Sequence, residues 1–575
     1  MAKSNTRLEL TWIGKENRPK LEPRILIEDP EKSYHAAHRV SDNDIFDNRL
    51  IFGDNLLALK ALEQEFTGKI KCIYIDPPYN TGSAFKQYED GIEHSLWLSL
   101  MRDRLELLQK LLCDEGSLWV NLDDNEAHYF KVLADEVFGR SNFVTNIVWE
   151  KADSPRMDAR FFSSRHDHLF VYARDINRLR VNQLTGDQSR LPAHYDKTDE
   201  KGKPYYLKPL RAMGGDDARE DRPSMFFEMT APDGSKILPI RKDGSEGRWR
   251  WGPDRVVKDS YLLEWVKGRS GWSPYYRVYP AEELSRPPET IWPHTEVGSN
   301  RTSKAEIKAI FDGTKAFDTP KPEALLRRII DIASNPADFV FDSFAGSGTT
   351  GAVAHKMGRR WIMVELGEQC DSLIIPRMRK VIDGDDQGGI SRAVNWNGGG
   401  GFRYYKLGPT LIVEDEWGNP VINPQFNPAM LAEAMCKLEG FTFDPDPEIY
   451  WQQGKSTETD FIYITTQFMS KQMLTKLSDE VGPTRSLLIC CSAFRCDVSQ
   501  FENLTVKKIP KAVLKKCEWG HDDYSLEVAN LPDAPSQTPE QQQHGPERQT
   551  RRFGKDKHAD PTLFDMGTTG PKGAK

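Results

Sequence analysis

Asp76-Pro77-Pro78-Tyr79 follows the apolar run 70–75 (IKCIYI), which reads as a buried strand. A carboxylate, two prolines and an aromatic ring thus stand at the carboxyl end of a strand, where open α/β sheets place their ligands. These side chains suit an exocyclic amine on a flat ring. The Asp76 carboxylate accepts one N–H, the Pro77 carbonyl accepts the other, and the Tyr79 ring stacks on the ring plane. Proline has no N–H and fixes φ, so the loop is stiff and rich in acceptors. Two acceptors drawing on the amine hydrogens free its lone pair for attack on a methyl group. The plain alternative is a strand followed by a proline-rich turn, and four residues alone leave the two readings even.

A second group lies far along the chain. Residues 340–350 (VFDSFAGSGTT) precede a helical pattern at 351–357, giving strand, glycine turn and helix. Such a turn lets the backbone approach a ligand, and the helix N-terminus offers free N–H groups. Asp342, Phe344, Ala345, Gly346, Ser347 and Gly348 are the candidate ligand contacts. A further strand over 361–364 ends in Glu365, where an acidic side chain commonly takes ribose hydroxyls. Gly346, Gly348 and Gly351 also fit G-x-G-x-x-G, so an NAD site is a rival reading. It leaves Asp76–Tyr79 without a role. No Lys follows the glycines, which argues against a P-loop.

D-P-P-Y followed by F-x-G-x-G (Phe344, Gly346, Gly348) resembles the amino-methyltransferases of DNA that use S-adenosylmethionine, in the β-class order. The resemblance extends to 48–59 (NRLIFGDNLLAL), 97–112, 116–126 (GSLWVNLDDNE), 143–151 (FVTNIVWEK), 166–174 (HDHLFVYAR) and 321–330 (KPEALLRRII). Residues 398–407 (GGGGFRYYKL) look like the segment closing the catalytic domain in modification subunits of type III restriction systems. The resemblance implies an α/β fold: a Rossmann-like, doubly wound methyltransferase sheet with an inserted β-rich target-recognition domain and a smaller C-terminal α/β domain. It implies methyl transfer to N6 of a flipped adenine in double-stranded DNA. Asp76 favours adenine, because the family usually has Asp there in adenine enzymes and Ser in many cytosine ones. An N4-cytosine enzyme of the same fold, an orphan adenine enzyme without a restriction partner, and a non-catalytic DNA-binding subunit are the alternatives. No Pro-Cys dipeptide occurs, which argues against attack by cytosine C5.

By the same resemblance, Asp342 meets the methionine amino group of S-adenosylmethionine and Glu365 its ribose. Asp54 approaches the cofactor's adenine and Lys321 its carboxylate end. Competing readings are Asp54 as a helix cap and Lys321 as a solvated lysine. The implied partners are duplex DNA, a second copy of the chain, and a separate restriction (helicase-nuclease) subunit.

The elements that must position these groups divide the 575 residues into six parts. Residues 1–45 read as an irregular arm. Residues 46–180 and 286–409 are the two catalytic halves. Residues 181–285 form the target-recognition insertion, 410–530 a C-terminal α/β domain, and 531–575 a polar tail too poor in apolar residues to order itself. The net charge is −8, an unusual sign for a DNA binder. Residues 151–269, however, hold 24 Lys and Arg against 19 Asp and Glu, with Tyr205, Tyr206, Phe226, Phe227, Trp249 and Trp251 interleaved. No run of 18 apolar residues and no signal-like start occurs, so a cytoplasmic protein away from membranes is expected. No metal is expected. Cys491, Cys496, Cys517 and His521 have poor zinc spacing; Asp123 and Asp124 look like a metal pair, but Asp123 with Glu126 reads better as a helix capping box.

Overall fold

The computed structural model describes residues 9–79, 90–185, 194–269, 271–280, 285–311 and 319–525. Its centre is one eleven-stranded sheet. Ten strands follow in the order Leu26–Glu28, Gly401–Leu407, Asn48–Phe52, Arg360–Glu365, Phe339–Asp342, Ile70–Ile75, Leu112–Leu122, His166–Ala173, Phe143–Glu150 and Ile291–Trp292, and Tyr34–His35 pairs beside Gly401–Leu407. From Gly401–Leu407 to Leu112–Leu122 all neighbours run parallel. His166–Ala173 is antiparallel to both of its neighbours.

Sheets covered by helices on both faces are built from continuous apolar strands. All six residues of Ile70–Ile75 are buried. Ile73 and Ile75 enter one core cluster with Leu59 and Leu62 of helix Asn55–Phe66 and Met101 and Leu105 of helix Asp90–Leu111. Cys72 and Tyr74 enter the other, with Leu326, Ile329 and Ile330 of helix Glu323–Ala333. Apolar residues in that helix recur at three- and four-residue spacing, so one face seats on the sheet.

The sheet changes direction between Phe339–Asp342 and Ile70–Ile75. The former continues through helix Thr349–Lys356 to Arg360–Glu365 on one side. The latter continues through Asp90–Leu111 to Leu112–Leu122 on the other. Loops leaving two adjacent parallel strands in opposite directions open a crevice. Residues 200 and more apart in sequence meet there.

The first expectation to be corrected is the irregular arm at 1–45. Leu26–Glu28 and Tyr34–His35 are edge strands on Gly401–Leu407, and Ile25 is buried in the C-terminal core. Strands of three and two residues are too short to show a period.

The insertion carries a four-stranded antiparallel sheet, Leu263–Gly268, Gly271–Val278, Pro204–Pro209 and Lys197–Thr198. Leu210, Met229, Trp249 and Trp251 form its small core. The glycine turns at 232–234 and 242–244 close as hydrogen-bonded turns, with Gly234 and Gly244 both at φ 86°. The C-terminal region pairs Asp460–Ile464 with Ser486–Cys491 across helix Lys471–Val481, in line with the pattern expected there. The 531–575 tail lies outside the described residues. Among the described residues no helix is long and apolar enough to cross a membrane.

Candidate functional site

Asp76 leaves Ile70–Ile75 at the crevice, and helix Asp90–Leu111 fixes the loop beyond it: the Trp97 indole Nε1 donates to the Pro78 carbonyl at 2.8 Å. Tyr79 Oη donates to Asp76 Oδ1 at 2.8 Å and lies 3.4 Å from Asp167 Oδ2. Asn121 Nδ2 donates to the same phenol oxygen. Lys151 Nζ reaches Asp167 Oδ1 at 2.5 Å. Burial first, and the Asp76 and Asp167 charges next, push the Tyr79 phenol well above its ordinary range. It therefore stays a neutral donor, and its hydroxyl is placed by Asn121 of the adjacent strand Leu112–Leu122 and Asp167 of the strand beyond it.

The glycine loop is tied as firmly. Asp342, 2 % exposed, accepts from the Phe344 amide at 2.9 Å and from Thr350 Oγ1 at 2.5 Å. Burial is the main cause that pushes its carboxyl up to about 7, and the Asp76 and Glu365 charges push the same way. Glu365 accepts from the Gly346 amide at 2.7 Å, the Gly367 amide at 2.9 Å and Gln369 Nε2 at 2.7 Å. Burial raises its pKa also. Behind the loop, Arg377 donates to the Ser347 carbonyl at 3.1 Å and to Thr349 Oγ1 at 2.8 Å, and pairs with Glu323 at 2.9 Å.

A cavity of about 140 Å³ opens between the two motifs, lined among others by Asn55, Pro78, Ser343, Phe344, Glu365 and Leu366. Its features fit S-adenosylmethionine. Phe344 and Leu366 offer apolar walls for a purine. A carboxylate has about four acceptor sites, so Glu365 can take ribose hydroxyls while keeping its loop bonds. The buried Ser343 Oγ has no partner among the described residues. The Asp76 and Glu365 charges both act on the Asp342 carboxyl, which favours a ligand bearing positive charge beside it.

The structure thus brings together the expected residues of both motifs, and gives Asp54 and Lys321 partners of their own. Asp54 caps helix Asn55–Phe66 by accepting from the Leu57 amide at 3.0 Å. Its other oxygen takes Arg104 Nη2 at 3.3 Å and the Tyr524 amide at 3.0 Å. Asp54 thus serves as the helix cap and also lines the cavity; as with Glu365, three accepted bonds leave the carboxylate one acceptor site. Lys321, expected at the cofactor's carboxylate end, bonds Asp76 Oδ2 and sits 5.4 Å from the Tyr79 ring centroid. Near the site, Asp123 and Glu126 do not form a capping box: Asp123 accepts from the Asn125 amide at 3.0 Å, and Glu126 reaches His94 at 2.8 Å. Asp124, His166 and His168 place one ligand atom each within 4.8 Å of one another, a metal-capable grouping that the spacing argument did not anticipate.

Asn121, Lys151, Asp167 and Arg377 carry site roles that the sequence reading did not assign. A single polar residue inside an apolar strand end, Asn121 in LWVNL, is the signal that was available. Arg377 is buried on a helix and gives none.

A family described as DNA methylase matches residues 70–375, more than half of the chain. The chain is 31% identical over 66% of its length to "Probable type III restriction-modification enzyme HindVI Mod subunit" of Haemophilus influenzae. It is 30% identical over 61% of its length to "Type III restriction-modification enzyme EcoPI Mod subunit" of Escherichia phage P1. It covers 56% and 62% of those two proteins. With "Type II methyltransferase M.KpnI" of Klebsiella pneumoniae it shares 30% identity over 57% of its own length and 81% of that protein's.

Proposed function

Because the chain belongs to the DNA methylase family, we propose that it transfers a methyl group from S-adenosylmethionine to N6 of an adenine flipped out of duplex DNA. One observation carries the reading: Asp76–Tyr79 and the Asp342–Gly348 loop meet across the switch point of one sheet, around a cavity that suits a cationic nucleoside.

The bound sulfonium would supply an electrophilic methyl. Asp76 and the Pro77 carbonyl accept the two amine hydrogens and aim the lone pair, which makes alignment the main catalytic device. Tyr79 stacks on the base, worth ~1–3 kcal/mol, against an unstacking cost of roughly a few kcal/mol, so other contacts with DNA must contribute as well. Asp76 accepts from Tyr79 and Lys321, which leaves acceptor sites for the amine while Lys321 balances the carboxylate charge. N4-cytosine transfer is the second reading, disfavoured by Asp at position 76. The type III relatives support a modification subunit that works with a separate restriction subunit.

Asp342 makes cofactor binding depend on pH. Its folded pKa of about 7 stands above the ordinary 3.8, so the ligand-free protein holds a proton there between those values. The stability this gives is full below about pH 4 and is lost as pH rises through about 7. A bound ammonium needs the carboxylate ionised, so affinity for S-adenosylmethionine should fall about tenfold per pH unit below about 7. Titration calorimetry at pH 5.5 to 8 checks this, and Asp342→Asn should flatten the profile. An unchanged slope in that variant would remove Asp342 from the cofactor site.

Sequence choice belongs to the insertion in this reading. Base contacts specify while phosphate contacts position. Exchanging residues 185–285 for those of a related enzyme should change the methylated motif and spare the chemistry, as read by single-molecule sequencing of modified DNA. Methylation of the original motif by the chimera would place recognition elsewhere. The working unit is a homodimer, one protomer reading the site while the other presents its pocket. Light scattering tests it, and a monomer active at full rate would overturn it.

A further inference from the structure

We propose that the loop between strands Phe143–Glu150 and His166–Ala173 is an intercalating wedge, with Phe161 and Phe162 entering the duplex where the target base leaves. The proposal rests on the DNA-methyltransferase reading above.

Large apolar side chains scattered singly over a surface need no explanation, whereas clusters do. Met157 is 94% exposed, Phe161 80% and Phe162 96%. Three of the most exposed large apolar side chains among the described residues therefore lie within six positions. Among the described residues, none of the three belongs to a core cluster.

The loop stands in the right place. Phe143–Glu150 is antiparallel to His166–Ala173, which is antiparallel to Leu112–Leu122. It therefore runs in the direction of Ile70–Ile75, and its carboxyl end lies at the sheet edge that carries Asp76. At the root of the loop Lys151 bonds Asp167, whose other oxygen lies 3.4 Å from the Tyr79 phenol and from Asn121 Nδ2. The wedge is thus rooted in the network that positions the stacking ring.

The loop is also braced. Arg165 pairs with Glu150 at 2.5 Å and donates to the Ala152 carbonyl at 3.1 Å, which closes the base. The Arg156 amide donates to Ser163 Oγ at 2.7 Å, which folds the tip. A braced apolar tip can push into a base step where a floppy one would be swept aside.

Charge identifies the occupant. No ion pair among the described residues uses the side chains of Arg156 or Arg160, and the Arg160 guanidinium lies 5.0 Å from the Phe161 ring centroid. Two uncommitted arginines beside two exposed rings suit phosphates flanking an opened base step. Apolar wedges between base steps are an established way for proteins to unstack a duplex. A protein partner would leave unexplained why the loop root joins the base-holding network.

The test uses the full-length protein and a duplex carrying its methylated motif, with the target base either paired or opposite an abasic site. For Phe161→Ala/Phe162→Ala, methylation of the paired duplex should fall about tenfold to a hundredfold, the range that lost base–aromatic stacking implies. Fluorescence of 2-aminopurine at the target position should fall with it. On the abasic duplex, where flipping is already easy, the variant should approach wild type. Affinity for S-adenosylmethionine and the thermal midpoint should hold, since both rings are exposed. Phe161→Trp/Phe162→Trp should restore the paired rate. Equal losses on the two duplexes, or none on the paired one, would overturn the wedge. Wild type on the abasic duplex separates the failures: inactivity there removes the enzymatic reading, and activity with an unaffected variant removes the wedge alone.

Discussion

Replacing Asp76 with alanine should lower methyl transfer to DNA by about 10²–10³-fold or more, the usual cost of deleting a preorganised polar group aimed at the reacting centre, while cofactor binding persists. Asp76 stands at the end of a strand whose six residues are all buried, so its position is set by the sheet and not by the ligand. Its two oxygens face Tyr79 and Lys321, on the base side of the crevice. The Asp342 loop and Glu365, on the cofactor side, keep their own bonds to Thr350, Gly346 and Gly367. Alanine also leaves Lys321, 9 % exposed, without its carboxylate, and an unpaired buried cation destabilises. Asp76→Asn is therefore the cleaner variant, because it keeps the shape and one acceptor. It should still be slow, since its NH₂ would face the amine hydrogens. Transfer of labelled methyl groups measures turnover, and calorimetry measures binding. Near-normal turnover in either variant would end the assignment of Asp76.

The same separation explains what could be read from the sequence. Ile70–Ile75 and Phe339–Asp342 are apolar runs ended by Asp-Pro-Pro-Tyr and by glycines, so strand, turn and ligand chemistry are all local signals. Asp76, Tyr79, Asp342 and Glu365 were legible for that reason. Lys321 was not: its partner Asp76 is 245 positions away, and only the switch point brings them together. Asp54 carries a local cap signal, but its bonds to Arg104 and Tyr524 join it to a second helix and to the C-terminal region. The edge strands at Leu26–Glu28 and Tyr34–His35 owe their state to pairing with Gly401–Leu407. Tertiary context decides such short pieces, and no periodicity announces them.

Gly348→Val should abolish measurable cofactor binding, and with it methyl transfer. Gly348 sits at φ 72°, ψ 17° as the residue before helix Thr349–Lys356. Its amide closes the turn onto the Ala345 carbonyl at 2.8 Å. A β-branched residue in that left-handed conformation costs roughly 1–2 kcal/mol or more. Space is short as well: a Cβ there would meet Ile374 Cγ2 at 3.0 Å. Ile374 is buried, and the neighbouring loop groups are held by Arg377, so neither side can yield cheaply. Relief must come from the loop itself, by rotation that moves Phe344 and the Gly346 amide away from Glu365. Gly348→Ala meets the same backbone strain with less bulk, so its affinity should fall between wild type and valine. Calorimetry with S-adenosylmethionine reads the series, and circular dichroism shows whether each variant is folded. Asp76→Asn and Gly348→Val then differ in kind: the first binds cofactor and fails to transfer, the second fails to bind. A folded Gly348→Val protein with wild-type affinity would move the cofactor site away from this loop.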